Sequence, residues 1–286
     1  MTRRLNTFIL ALTVCAVSAL PARAQQRPLQ TEDPEVIGAG RILFEAGIDY
    51  EYDYFLPVSG LRGNLLSVPP MGVSFGVSSI AEIQIDGGVY QRLRITEQVG
   101  RAPFSSLLKL DGDGSSTSDV DDIHIGAKVR FLSEGASRPA MAFRFDTRLP
   151  NANNESGLGK DMQDFAAGVS IGKTVQSVRV VTNLGLLILG NPTRPAAQDD
   201  LLTYSLSVAR AISPRAELVW EVGGRANFAN IITPGAEDRG LLRFGARYTK
   251  SGVRFDGGMM LGLTARDPEM GFTAGLTWVF NAFKVP

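Results

Sequence analysis

Cysteine is almost missing from this sequence. The single one, Cys15, lies in an apolar run near the amino terminus. Arg3 and Arg4 precede that run, which extends from Phe8 to Leu20, and Ala22-Arg23-Ala24 follows it with the small-x-small pattern of a cleavage site. These features predict a secretory signal peptide over residues 1–24, cut before Gln25. Val14, just before Cys15, is too large for a lipoprotein site, and the run falls short of the roughly twenty apolar residues a spanning helix needs. Without the leader, the chain would hold no disulfide, no thiol nucleophile and no cysteine metal site.

An excess of charge is missing as well. The 29 basic and 29 acidic residues become 26 against 29 once Arg3, Arg4 and Arg23 are removed, near −3. That balance argues against nucleic acid as a partner. Beyond the leader no apolar run is long enough for a transmembrane helix, the nearest being Leu184 to Leu189. No stretch carries a helical period. Any crossing of a membrane has to be made by strands.

What is present is alternation. From Asp122 to Phe131 every odd position is apolar and every even one is polar or glycine, and Met141 to Leu149 repeats the pattern after a short polar joint. Side chains on a strand point to opposite faces with period two, so the two arms predict a hairpin. Alternation begins at Arg41, with Phe44, Ala46, Ile48, Tyr50, Tyr52 and Tyr54 facing away from Glu45, Asp49, Glu51 and Asp53. It continues almost to the carboxyl end, through Met270, Phe272, Ala274, Leu276, Trp278 and Phe280. A weaker segment from Leu65 to Ser78 is interrupted by Pro69-Pro70, which predicts a bulge or a later strand start. There are twelve such segments, each near the roughly 9–11 residues of a tilted spanning strand.

The joints between segments alternate long and short. Phe55–Gly63, Thr96–Asp119, Pro150–Asp161, Gly190–Asp200 and Asn230–Arg239 are long, and Ala265–Glu269 is short for its long position; the joints near Ser79 and at Ser133–Arg138, Val175–Ser177, Ser213–Arg215 and Lys250–Gly252 are short. Outer-membrane barrels have short periplasmic turns, long outer loops and an even strand number. If odd strands run outward, Phe131, Phe143, Tyr248, Phe255 and Trp278 form one aromatic rim, and Tyr52, Tyr54, Phe165, Tyr204, Phe228 and Phe272 the other. A soluble β-sandwich shares the alternation but not the leader, the joint asymmetry or the rims. The prediction is an all-β, up-and-down antiparallel transmembrane barrel of about twelve strands over 41–281, in the outer membrane. Residues 25–40 are expected as a flexible periplasmic segment and 282–286 as a tail.

The middle of the chain resembles the outer-membrane transporter family named for the meta-pathway of phenol degradation. The residues that carry this are Asp121-Asp122-Ile123-His124-Ile125-Gly126-Ala127-Lys128-Val129-Arg130-Phe131, Phe145-Asp146-Thr147-Arg148-Leu149-Pro150, Gly157-Leu158-Gly159-Lys160-Asp161 and Val181-Thr182-Asn183-Leu184-Gly185. Where the family often has Thr-Gly after Leu-Pro, this chain has Asn151-Ala152. The resemblance implies a membrane barrel passing hydrophobic or aromatic compounds, and it brings no binding residues with it.

The polar face supplies the candidate site. Pore-lining positions are expected at Arg92, Arg94, His124, Lys128, Arg130, Arg144, Asp146, Arg148, Arg179, Glu221, Arg225, Arg243 and Arg247. These charges either pair across neighbouring strands or leave a constriction rich in arginine, which would prefer anions. His124 is the only histidine. Outer-membrane hydrolases of twelve strands place their catalytic group toward lipid, whereas His124 is on the opposite face, so no enzyme is expected. Asp111, Asp113, Asp119 and Asp122 have the spacing of a calcium loop, but Ser116 stands where its glycine should be and no flanking helices exist. A solvated loop is the better reading, with no metal and no cofactor. The expected function is a channel or transporter for passive passage of small molecules. The alternative is a structural or adhesion barrel with a closed lumen, and a lipid hydrolase comes third. Expected partners are the lipid bilayer, lipopolysaccharide, the barrel-assembly machinery and a small-molecule solute.

Overall fold

A computed structural model describes residues 27–194 and 196–284. The expected signal peptide lies outside these residues, as do the last two residues of the expected tail. Twelve strands follow one another. They are β1 (Arg41–Leu56), β2 (Leu61–Ser67 and Pro70–Gly76), β3 (Ala81–Gly88 and Gln91–Gln98) and β4 (Ser116–Asp119 and Ile123–Leu132). Then come β5 (Ala140–Leu149), β6 (Asp164–Val175), β7 (Val178–Gly190) and β8 (Gln198–Ala211). The last are β9 (Ala216–Ala226), β10 (Arg239–Lys250), β11 (Val253–Gly262) and β12 (Met270–Asn281). Each pairs antiparallel with the next, and β12 closes on β1 from Arg41↔Asn281 to Tyr52↔Met270. The fold is the closed twelve-stranded barrel that the alternation predicts.

Its burial is inside out. Leu184 is 59% exposed and Phe145 51%, whereas Lys128 and Glu82 are each 1% exposed. Soluble monomers rarely expose a continuous apolar patch beyond a few hundred Å². Here apolar side chains cover the outer surface of nearly every strand, which suits a bilayer. The exposed aromatics include Phe131, Phe143, Tyr248, Phe255 and Trp278 toward one end, and Tyr52, Phe165, Tyr204 and Phe272 toward the other.

Turns at 77–80, 133–139, 176–177, 212–215 and 251–252 lie at the same end as the start of β1 and the end of β12. Loops at 57–60, 99–115, 150–163, 191–197, 227–238 and 263–269 lie at the opposite end. The first of these is short because β1 and β2 stay paired up to Leu56↔Leu61.

Strands β2, β3 and β4 are each broken part-way. The breaks in β2 and β3 sit side by side, with Val68 N donating to Tyr90 O and Val89 N to Pro69 O. Proline lacks the N–H a ladder needs, so Pro69-Pro70 falls at the interruption. A shift of one residue moves every later side chain to the other face. Beyond the breaks, Leu61, Leu65 and Leu93 therefore turn inward and pack with Leu108, Leu110 and Leu158. In β1 the register slips between Glu51 and Tyr54, at Asp53 with φ of 56°. That bulge turns Tyr54 inward, where alternation placed it on the outer rim.

Candidate functional site: a lumen in two halves

The short-turn half of the lumen is filled by the chain itself. Residues 27–37, read from sequence as a flexible periplasmic lead-in, lie against the inner wall and are bonded along their length. Glu221 accepts from Gln30 N (2.9 Å) and Thr31 N (2.5 Å). Asn183 accepts from Glu32 N and donates to Glu32 O, at 2.7 and 2.9 Å, as a neighbouring strand would. Glu82 accepts from Ile37 N at 2.7 Å. An irregular segment in a lumen needs such partners, because unpaired backbone groups away from water are costly.

Ion pairs anchor its side chains. Lys128 Nζ is 3.0 Å from both Glu32 and Glu82, and donates to Asp33 O. Arg179 grips the Asp33 carboxylate with two nitrogens and reaches Glu134 at 3.0 Å. Arg130 pairs with Glu35, and Arg27 with Asp49. In the 133–139 turn, slight burial would raise the Glu134 carboxyl, but donors from Lys173, Thr174 and Arg179 outweigh it and hold the group down at about 2. Glycines on the wall make room: a Cβ on Gly172 would meet Pro34 Cγ at 2.9 Å, and one on Gly47 would strike the Arg27 guanidinium.

The long-loop half is open. A cavity of about 350 Å³ is bounded by Tyr54, Leu56, Val58, His124, Arg148, Leu158, Lys160, Leu187, Leu189, Arg225 and Arg239, among others. A second space of about 100 Å³ shares Asp146 and Ala166 with it and reaches Gln30 and Glu32 of the inner segment. His124 Nδ1 lies 3.2 Å from Asp146, which also pairs with Arg144. Arg148 pairs with Asp122 and Asp164, and Lys160 with Asp164 at 3.1 Å. Burial, then the neighbouring Arg148 guanidinium, push Lys160 down to about 8 against the pull of Asp164. Arg225 donates to Glu237 O (3.1 Å) and Gly235 O (2.8 Å). Arg239 donates to Phe55 O at 3.0 Å, with its guanidinium 5.3 Å from the Tyr54 ring centroid.

No protein family model matches the sequence, and no curated protein matches it. Solved structures do. An outer membrane channel of Pseudomonas putida F1 is similar with a TM-score of 0.61 and 13% identity, over 87% of this chain and 98% of that one. The NanC porin follows at a TM-score of 0.49 and 8% identity, over 83% and 98%. The translocator domain of the autotransporter NalP from Neisseria meningitidis is at 0.48 and 13%, over 85% and 89%. This chain has the fold of an outer-membrane β-barrel. Identities this low speak for the fold alone.

In that barrel His124, Lys128, Arg130, Arg144, Asp146, Arg148, Arg179, Glu221, Arg225, Arg243 and Arg247 stand on the lumen side. Lys128, Arg130, Arg144, Arg179, Glu221 and Arg247 bind the inner segment directly. Arg243 pairs with Glu221 at 2.9 Å. Arg92 and Arg94 are a correction. They lie beyond the break in β3, where Leu93 takes the inward face at 0% exposure and leaves both arginines exposed on the outer side. The proposed ring of arginines therefore lacks its two members from β3. The acids of the 111–122 loop do not converge: Asp113 accepts from Ser115 N, Asp111 from Ser118 Oγ, and Asp122 pairs with Arg148.

Sequence reasoning missed Tyr54, Lys160, Leu187, Leu189 and Arg239 as cavity residues. One signal for two of them was visible. The run Leu184–Leu189 is apolar at odd and even positions alike, the mark of a strand covered on both faces. Leu189 packs with Leu201 and Ala236 inside the barrel mouth.

Proposed function

We propose that this barrel is a channel for passive passage of small molecules across the outer membrane, with residues 27–37 as its inner restriction. The observation that carries the reading is the pair of adjoining cavities, which run from the long-loop end down to Gln30 and Glu32 inside a closed wall. In barrels of this kind the long-loop end faces outward, so solute would enter from outside and meet the inner segment before the periplasm. The similarity of residues 121–185 to the phenol meta-pathway family makes hydrophobic and aromatic compounds the solutes to try. Lipopolysaccharide around the outer rim and the barrel-assembly machinery are the partners this placement implies.

The ion pairs of residues 27–37 favour a second reading, a barrel whose lumen stays closed and whose role is structural. Planar-bilayer conductance of the mature protein separates the two when compared with a form lacking residues 27–37. Discrete steps from the mature protein support the channel. If only the shortened form conducts, the segment is a permanent plug and the structural reading stands.

A further inference from the structure

We infer that the long-loop cavity binds a small organic anion, a carboxylate carried on an apolar body, and that Arg225 and Arg239 are its anchoring pair. This deepens the channel reading and rests on it for what the site serves.

Charge sets these two residues apart from the rest of the lumen wall. Elsewhere on the lumen wall Lys128, Arg144, Arg148, Arg179 and Arg243 each meet a carboxylate. Arg225 and Arg239 are directly opposed in the β9–β10 register, yet each donates only to backbone carbonyls. Among the described residues neither makes an ion pair. Two like charges facing each other across neighbouring strands repel, and partial removal from water makes the repulsion worse. An anion placed between them relieves both costs.

The cavity's own carboxylates are already engaged. Asp146 is held by His124 and Arg144, and Asp164 by Arg148, Lys160 and Gly190 N. Asp164 and Glu237 attract Arg225, and Glu51 attracts Arg239, only from beyond ion-pair reach, so at close range the uncommitted charge on this wall is positive. The planar fork of arginine matches a carboxylate's two oxygens, which makes a carboxylate a fitting anion.

The rest of the wall says what the anion is attached to. Leu56, Val58, Leu158, Leu187 and Leu189 give the same cavity an apolar side. Its volume of about 350 Å³ falls within the ~300–1,000 Å³ of small-molecule sites, and suits one ring or a short chain. A bare inorganic anion would leave that side against water.

The test is isothermal titration calorimetry on the detergent-solubilised mature protein at low salt, with benzoate, benzyl alcohol and chloride as probes. Benzoate should bind about tenfold or more tightly than benzyl alcohol, and more tightly than chloride. The double variant Arg225→Gln/Arg239→Gln should lose most of that preference and keep its benzyl alcohol affinity. Benzoate binding no tighter than benzyl alcohol, or a preference intact in a folded double variant, overturns the inference. If the double variant does not fold, the wild-type preference and the single variant Arg239→Gln decide by the same criteria. Liposome swelling keeps the two ideas apart. Benzoate binding without permeation ends the channel reading and leaves the site, whereas permeation without benzoate preference ends the site and leaves the channel.

Discussion

In the short-turn half of the barrel the wall is charged and the space is filled by residues 27–37; in the long-loop half much of the wall is apolar and the space is open. Both halves are made from the same strands. They differ because β2, β3 and β4 are interrupted part-way and β1 bulges at Asp53. Below these points strict alternation sends Glu82, Lys128 and Arg144 inward, where an irregular segment supplies their partners. Above them the shifted register sends Leu61, Leu65 and Leu93 inward. The breaks in four strands, together with Leu187 and Leu189 of the unbroken β7, give half a lumen a different solvent character.

The largest effect should come from the filled half. Lys128→Met removes the cation that Glu32 and Glu82 share and leaves Arg144, 3.5 Å from Glu32, as the neighbouring charge; breaking a buried pair in this way costs about 3–5 kcal/mol. Urea unfolding followed by tryptophan fluorescence should show the loss, and the triple variant Lys128→Met/Glu32→Gln/Glu82→Gln should recover much of it. A loss below about 1 kcal/mol would mean that water reaches the cluster and screens it.

Neighbouring substitutions in β3 test the register shift. Leu93→Ala should cost about 2–5 kcal/mol as a buried leucine truncation, whereas Arg92→Ala should stay within about 0.5 kcal/mol. The reverse ranking would put Arg92 back in the lumen and remove the contrast between the halves.

Gly172→Leu is aimed at the segment rather than the wall. Its new side chain would meet Pro34 and the end of the flexible Arg179 side chain, with no wall backbone among its nearest neighbours. We expect higher single-channel conductance and a lower unfolding midpoint, because the Arg179–Asp33 pair is disturbed as the segment moves. Unchanged conductance in a folded variant would show that residues 27–37 do not set the restriction.

The smallest effect concerns pH. Lys160 faces Asp164 on β6 and Arg148 on β5, with Arg225 of β9 adding repulsion. Its folded value of about 8 lies below the ordinary 10.5. Between these values the unfolded chain binds more protons, so stability should rise with pH across the window. Benzoate affinity should fall a few-fold as pH passes about 8, since the cavity loses a positive charge. Calorimetry of Lys160→Met, which should be flat over that window, checks the assignment.

The barrel was readable because membrane strands obey a short-range rule. Period two, joint length and aromatic rims depend on neighbours a few residues away, and each was in plain view from Arg41 to Phe280. The inward placement of His124, Lys128 and Asp146 followed from the same parity. Arg92, Arg94 and Tyr54 were misplaced because parity holds only while the ladder is unbroken. Pro69-Pro70 warned of a break in β2, and Gly87-Gly88, just before Val89-Tyr90 where β3 breaks beside it, is a weaker sign of the same kind. Residues 27–37 carry no alternation at all. Their place is set by partners such as Glu221 and Asn183, more than 150 residues away.

From its own order of residues, then, the chain determined that it would be a strand-built barrel, apolar outside and charged within. Tertiary structure alone decided what fills the lumen and which arginines are left without an ion pair. Which face a side chain takes is a local property of an extended backbone. Which charges meet depends on closure of the barrel and on a segment that only the closed barrel can hold.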